Sequence, residues 1–390
     1  MLRHRKRPGL SLLGVLALCL FILSACGGST PSQGNTNNPL ASSSPTQAPS
    51  SDDIDQQTVT ENPDDALNYW TSDKMLSALN VDLLNADNIK DLQQQADNAI
   101  KNVTGSVTQG ENPVGNLPEI PPMAPQDLQD LLQQLSQLSG QQSSTGTQTS
   151  ASLLGAFSNT QPTARYSYPL STIGKVFFTA GGKNWVCSGT AINSSNKSVV
   201  DTAGHCVYDR HSKSYVNNWI FCPMYYKGSA PYGCWAAHHR YTTKSWVSHG
   251  DFESDYGAVV VHPRSSGRLV NRIGGAGWAY NYSPKQSFHA YGYPAAKPFN
   301  GQTMKSCSGT STAWKYNNGT MDMSIPCNMT GGSSGGGWFT RINGGWYLNG
   351  HNDFTWSKHP GQMFSPYYGA TWYNLYKRAS TADVGPVVNR

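Results

Sequence analysis

The sequence contains no Cys-x-x-Cys pair and no His-Glu-x-x-His run, so the commonest zinc signatures are excluded and no metal is expected. Apolar residues make up only 37% of the chain, which on average is too few for a well-packed globule. Residues 27–60 hold almost nothing apolar: Ser, Thr, Pro, Asn and Gln dominate. Such a stretch cannot bury enough surface to offset its ordering entropy and reads as a disordered tether over 26–60. A membrane-length apolar run is also lacking. The one candidate, residues 10–23, is short, follows Arg3, Arg5, Lys6 and Arg7, and exits through Ser24-Ala25. That is the layout of a secretory signal peptide over 1–25.

The average composition conceals two unlike halves. Residues 26–160 carry 15 acidic and 3 basic side chains, a net of −12, whereas residues 161–390 carry 8 acidic and 21 basic, a net of +13. Ten of the eleven Trp lie in the second half, so that is where a core is expected. Six of the eight cysteines lie there too: Cys187, Cys206, Cys222, Cys234, Cys307 and Cys327. An even set in an exported domain reads as disulfides. Sequential pairing, 187–206, 222–234 and 307–327, is the expectation among the several connectivities that six cysteines allow.

Of the other two, Cys19 leaves with the signal peptide. Cys26 follows Leu23-Ser24-Ala25, and this exit resembles the lipobox of bacterial lipoproteins, whose cysteine is acylated. The resemblance implies a lipid anchor at Cys26 and a place on the outer face of the cell membrane, the alternative being plain secretion. The membrane would be engaged through the lipid alone.

Apolar residues at helical spacing (Met75, Leu76, Leu79, Leu83, Ala86, Ile89, Leu92, Ala96, Ala99) predict a helix, with Thr71 or Ser72 as cap and Asp73 in its first turn. A second amphipathic helix carries Leu128, Leu131, Leu132, Leu135 and Leu138 between Pro125 and Gly140. Two helices with one stripe each cannot make a core alone. The acidic segment 61–140 therefore reads as a pro-region or stalk that docks on the following domain, with 141–163 as a linker. From 164 to 390 the texture is short β-rich runs and Gly turns. Strands are expected at 173–179, 185–192, 257–262, 288–293, 319–325 and 338–342, and a closing helix at 370–378. This pattern suggests an all-β domain, either paired barrels or a sandwich.

Three segments carry chemistry. Thr202-Ala203-Gly204-His205-Cys206, preceded by Ser198-Val199-Val200, resembles the segment that presents the general-base histidine in chymotrypsin-fold peptidases. Cys187-Ser188-Gly189-Thr190 resembles its partner strand, whose cysteine bridges to the one after the histidine. Thr330-Gly331-Gly332-Ser333-Ser334-Gly335-Gly336 resembles the nucleophile loop, with amides of Gly332 and Ser334 as oxyanion hole. Asp255, leading into Tyr256-Gly257-Ala258-Val259-Val260, is the third member of the triad; Asp251 and Glu253 are its nearby competitors. The resemblance spans roughly 165–380. It implies two packed antiparallel β-barrels with a C-terminal helix, preceded by a mostly disordered region with two amphipathic helices. It also implies a serine endopeptidase that acts on proteins or peptides, with no cofactor.

Gly332-x-Ser334-x-Gly336 also satisfies the nucleophile pattern of α/β-hydrolases, but those run Ser, acid, His, whereas this chain runs His205, Asp255, Ser334. Bacterial secreted forms, including glutamyl endopeptidases, are nearer than animal trypsins, and Tyr69-Trp70-Thr71 looks like a segment found ahead of such domains. Two departures stand out. Ser333 occupies the place where trypsin-like zymogens keep an aspartate for a new N-terminal ammonium, so Ile173-Gly174 is not expected to activate by that ion pair. The hydroxyl residue that would help read acidic side chains is replaced by Met329, leaving His351 and Thr330 as substrate-binding candidates; an ungapped count places Asn352 equally well, and a surface or core histidine is the plainer reading of His351. The non-enzyme reading is an inactive homologue serving as a cell-surface binding module. The basic domain has no stacking or groove-reading motif, so nucleic acid is not an expected partner.

Overall fold

The structure is a computed structural model that describes residues 53–80, 84–85, 93–94, 105–112, 114 and 168–389. The signal peptide, Cys26, most of the tether, the helix expected over 125–140 and the linker 141–163 lie outside the described residues.

The N-terminal segment supplies β1 (Ile54–Thr58), β2 (Leu79–Asn80), β3 (Leu84–Asn85), β4 (Gln93–Gln94) and β5 (Ser106–Thr108), with helices α1 (Pro63–Tyr69) and α2 (Ser72–Ser77) after β1. Asn62 caps α1 through the Asp64 amide, and Thr71 caps α2 through the Lys74 amide, where a cap was expected. The long helix predicted from 71 to 99 does not follow. The chain leaves α2 at Ser77 and is extended again at Leu79, because the edges of neighbouring sheets compete for its backbone. β1 adds antiparallel to the domain across five residue pairs, from Ile54–Thr243 to Thr58–His239. Trp70 is buried in the core, donates from Nε1 to the Asn218 carbonyl at 2.7 Å, and packs its ring 5.2 Å from that of Phe177.

The next strands are β6 (Ile173–Ala180), β7 (Lys183–Ile192), β8 (Val199–Ala203), β9 (Tyr208–Asp209), β10 (Ser214–Tyr215), β11 (Asn217–Pro223), β12 (Trp235–Thr243) and β13 (Tyr256–Val261). Pairing runs β12–β11–β6–β7–β8–β13 and returns to β12, antiparallel throughout, so this sheet closes into a barrel. One face of this sheet is closely packed: Val176, Val200 and Val259 share it and have no exposed surface. The short helix α3 (Lys244–Ser248) leads from β12 toward β13, and α4 (Leu269–Ile273) follows β13 in the chain before the second half.

The second half holds β14 (Trp278–Tyr280), β15 (Ser287–Gly292), β16 (Lys305–Thr310), β17 (Thr312–Lys315), β18 (Met321–Pro326), β19 (Gly337–Ile342), β20 (Gly345–His351), β21 (Phe354–Thr355) and β22 (Gln362–Pro366), then helix α5 (Ala370–Ser380). Among the described residues the expected second closed barrel is not seen as a closed ladder. The strands pair as a six-stranded sheet, β16–β15–β19–β20–β14–β5, and a four-stranded sheet, β22–β18–β17–β4. Between β16 and β18 the link is the Cys307–Cys327 disulfide rather than a ladder. Gly309 of β16 faces the ring of Pro326, and proline brings no N–H to a ladder. The other disulfides are Cys187–Cys206 and Cys222–Cys234, so the pairing is sequential. α5 is moored to the barrel by its own Trp372, whose indole donates to Asp201 Oδ1 at 2.7 Å, and by the preceding Tyr368, which donates to Oδ2 at 2.6 Å.

Candidate active site

β8 ends at Ala203, and one tight turn, Gly204–Cys206, presents His205. Glycine at 204 is dictated by crowding: a Cβ there would lie 2.6 Å from Asp255 Oδ1. The Cys187–Cys206 disulfide pins the turn to β7. Asp255, fully buried at the head of β13, accepts the His205 amide on Oδ1 and faces His205 Nδ1 through Oδ2, both at 2.8 Å. An ionised carboxylate can only accept, so Nδ1 carries the ring proton and Nε2 is left with its lone pair.

Ser334 stands in the loop between β18 and β19. Its carbonyl accepts from the Ser188 amide at 2.8 Å and lies 3.7 Å from Cys206 Sγ, so β7, the His205 turn and the serine loop meet there. Ser334 Oγ and His205 Nε2 are both buried without a hydrogen-bond partner. Buried polar atoms are nearly always paired, so two such orphans in adjoining elements mark a place where chemistry is poised. Gly332 holds φ +92°, a left-handed conformation, and a Cβ there would press on the Tyr293 carbonyl at 2.9 Å. Asn352 braces the loop from behind: its side-chain amide donates to the Tyr291 and Ser333 carbonyls at 2.8 and 3.1 Å. The competing acids are engaged elsewhere, Asp251 with Ser245 and Glu253 with Asn318 and Thr320. Ser333 is buried and donates to the Thr330 carbonyl at 2.8 Å.

The two substrate-binding candidates separate. Thr330 borders a cleft of about 580 Å³ together with Asn80, Met329, Gly331, Thr355 and Trp356, although its hydroxyl is already bonded to Ala296. His351 is fully enclosed, with Nδ1 2.9 Å from the Tyr368 hydroxyl and Nε2 3.2 Å from the Asp255 carbonyl, which agrees with its reading as a core histidine. It supports the segment that carries Asp255 and does not line the cleft.

Sequence reading missed Asp353. This carboxyl is fully buried, 3.6 Å from His205 Nδ1. Burial, reinforced by the charge of Asp255, pushes its pKa well above the usual carboxylate range. A lone Asp between Asn352 and Phe354 belongs to no motif, and only the fold brings it to His205.

No family model matches the chain. Among solved structures, the thermostable serine protease AL20 from an extremophilic microorganism is 40% identical, with a TM-score of 0.51, and the match covers 55% of this chain and 98% of that one. Protease Anisep from Arthrobacter nicotinovorans is also 40% identical, with a TM-score of 0.50, covering 56% of this chain and 99% of that one. The glutamyl endopeptidase of Bacillus licheniformis is 30% identical over 132 residues, 34% of this chain; the chain spans only 38% of that relative.

Proposed function

We propose, from the premise that the chain belongs to the chymotrypsin-like serine-protease family, that it is an endopeptidase working through His205, Asp255 and Ser334. One observation carries the reading: Asp255 engages Nδ1 of His205 at 2.8 Å while His205 Nε2 and Ser334 Oγ are left unpartnered beside each other's elements. Ser334 Oγ attacks the scissile carbonyl carbon as Nε2 takes its proton. Asp255 keeps the ring in the correct tautomer and stabilises the imidazolium. The amides of Gly332 and Ser334 donate to the oxyanion, and Nε2 then protonates the leaving amine. Water, activated by the same nitrogen, hydrolyses the acyl-enzyme. Because His351 is enclosed, it is not proposed as a reader of acidic side chains.

The test is Ser334→Ala in the full chain. Hydrolysis of a peptide library and labelling by a serine-directed phosphonate should both vanish, the rate falling by about four to six orders of magnitude, with folding retained. Labelling that survives puts the nucleophile elsewhere, and peptide binding without hydrolysis in the wild type favours the inactive-homologue reading.

Two further parts of the reading concern the N-terminal half. We propose that Cys26 is acylated and holds the enzyme on the outer face of the membrane. The acidic segment from 61 to 140 is proposed as a pro-region that the catalytic domain carries. Support for the second comes from Trp70 in the core and from β4 and β5, which the segment adds to sheet edges.

A further inference from the structure

The backbone of β2 pairs in parallel with Trp185–Val186 of β7, and that of β3 pairs in parallel with β21. These two docking places flank the site. Val186 is followed by Cys187, bridged to Cys206, and by Ser188, bonded to the Ser334 carbonyl. β21 is preceded by Asp353, which lies against His205. Asn80 itself borders the cleft with Thr330, Gly331, Thr355 and Trp356. Asn80 and Leu84 are four residues apart, so at ~3.6 Å per residue they can be separated by no more than about 14 Å. An exposed strand edge is what an extended peptide adds to when it is recognised.

Resting on the peptidase reading above, we infer that β2 and β3 occupy the peptide-binding edges on both sides of Ser334, so that these two strands of the chain itself block substrate until they are displaced. The occupant is held from both ends. Upstream lie the β1 ladder and buried Trp70; downstream, β4 pairs with β17 and β5 with β14. Tethering keeps its local concentration high. Its ladders, however, are two residues each and parallel, the less stable pairing, so it is releasable.

The experiment uses the full chain with Leu79→Pro and, separately, Leu84→Pro, each of which removes a ladder N–H. Hydrogen exchange at 185–186 and 354–355 reads occupancy without reference to activity, while peptide hydrolysis and phosphonate labelling read the site. Protected amides in the wild type, faster exchange in the proline variants and a rise of about tenfold or more in kcat/KM and labelling rate are expected. Unprotected amides in the wild type, or freed edges with unchanged rates, overturn the blockade. If the edges are freed and no variant labels or cleaves at all, the peptidase reading falls and the blockade with it.

A second inference rests on other residues. His238 and His239 are neighbours on β12 and should point to opposite faces, but the register of β12 against β13 shifts between Ala237 and His239. Both imidazoles consequently face Asp383, with His238 Nε2 at 3.0 Å and His239 Nε2 at 3.5 Å from Oδ2. Ligand atoms about 2.0–2.1 Å from a tetrahedral zinc lie about 3.3 Å from one another, close to these separations. The partners suit ligation. Thr58 Oγ1 sits 3.0 Å from His239 Nδ1, and the Gly385 amide donates to Asp383 Oδ1 at 2.7 Å, so Oδ2 is the oxygen that both rings approach. We propose that His238, His239 and Asp383 bind a divalent transition metal that ties the C-terminal tail to the barrel.

Cobalt(II) titrated into the full chain should give tetrahedral absorption bands, bleached by zinc, and raise Tm. Both effects should be lost in His239→Ala and in Asp383→Asn. Absent bands, or bands and a Tm rise unchanged in both variants, overturn the site.

Discussion

Asp353 and Asp255 share one buried neighbourhood, and two adjacent carboxyls in such a place do not both ionise. Asp255 accepts from two groups of His205, while burial first and the Asp255 carboxyl second raise the Asp353 pKa. The sign for stability follows. An unfolded aspartate ionises near pH 3.9, whereas folded Asp353 keeps its proton, so its contribution is complete below that pH and declines as pH rises toward the raised folded value. Asp353→Asn keeps a neutral polar group there and escapes this penalty. Its Tm should exceed that of the wild type by a margin that widens from pH 5 to pH 8, measured by calorimetry. A constant margin would mean that Asp353 does not hold a proton there. Hydrolysis by Asp353→Asn should stay within about tenfold of wild type, while Asp255→Asn should lose about 10⁴ in kcat, because only the latter sets the His205 tautomer.

At the scale of elements, the sequence was informative wherever a strand's apolar run was its own explanation. Strands expected at 173–179, 185–192 and 338–342 appear as β6, β7 and β19 with ends shifted by a residue or two, and the terminal helix appears as α5. The prediction failed where neighbours decide. Met75, Leu76, Leu79 and Leu83 have helical spacing, yet Leu79 is extended because the edge of β7 was open to its backbone. Short strands such as β16 and β17 were not foreseen, for their polar residues gain a partner only when the sheet assembles. The same reasoning makes Trp70 part of the folded domain despite its place among linkers. Trp70→Ala removes a buried ring packed on Phe177 and should cost about 3–5 kcal/mol, read from urea unfolding. An unchanged midpoint would place Trp70 outside the core.

Across the whole molecule, charge and cysteine placement told more than motif reading. The His205, Asp255 and Ser334 segments were legible because each is a short run with a chemical reason. Asp353 and the bracing of the serine loop by Asn352 were not, since these depend on how β20 and β21 fold back on that loop. The anchor proposal is tested at this scale too. Cys26→Ala should shift the full chain from the membrane fraction to the medium with unchanged specific activity; undiminished membrane retention would reject acylation.

All three disulfides join residues between 187 and 327, and residues 27–163 contain no cysteine. The described N-terminal strands are thus held by ladders, side-chain hydrogen bonds and the buried Trp70 but by no covalent cross-link, and peeling them off under oxidising conditions breaks no disulfide. Peeling uncovers the flanks of β12, β7, β17 and β14, four adhesive borders of the kind that drive clumping. What remains has 21 basic against 8 acidic side chains over residues 161–390, and mutual repulsion between like-charged copies is what keeps those borders apart. The stripped form is therefore a colloid stabilised by its own charge, one that salt or a polyanion would bring out of solution.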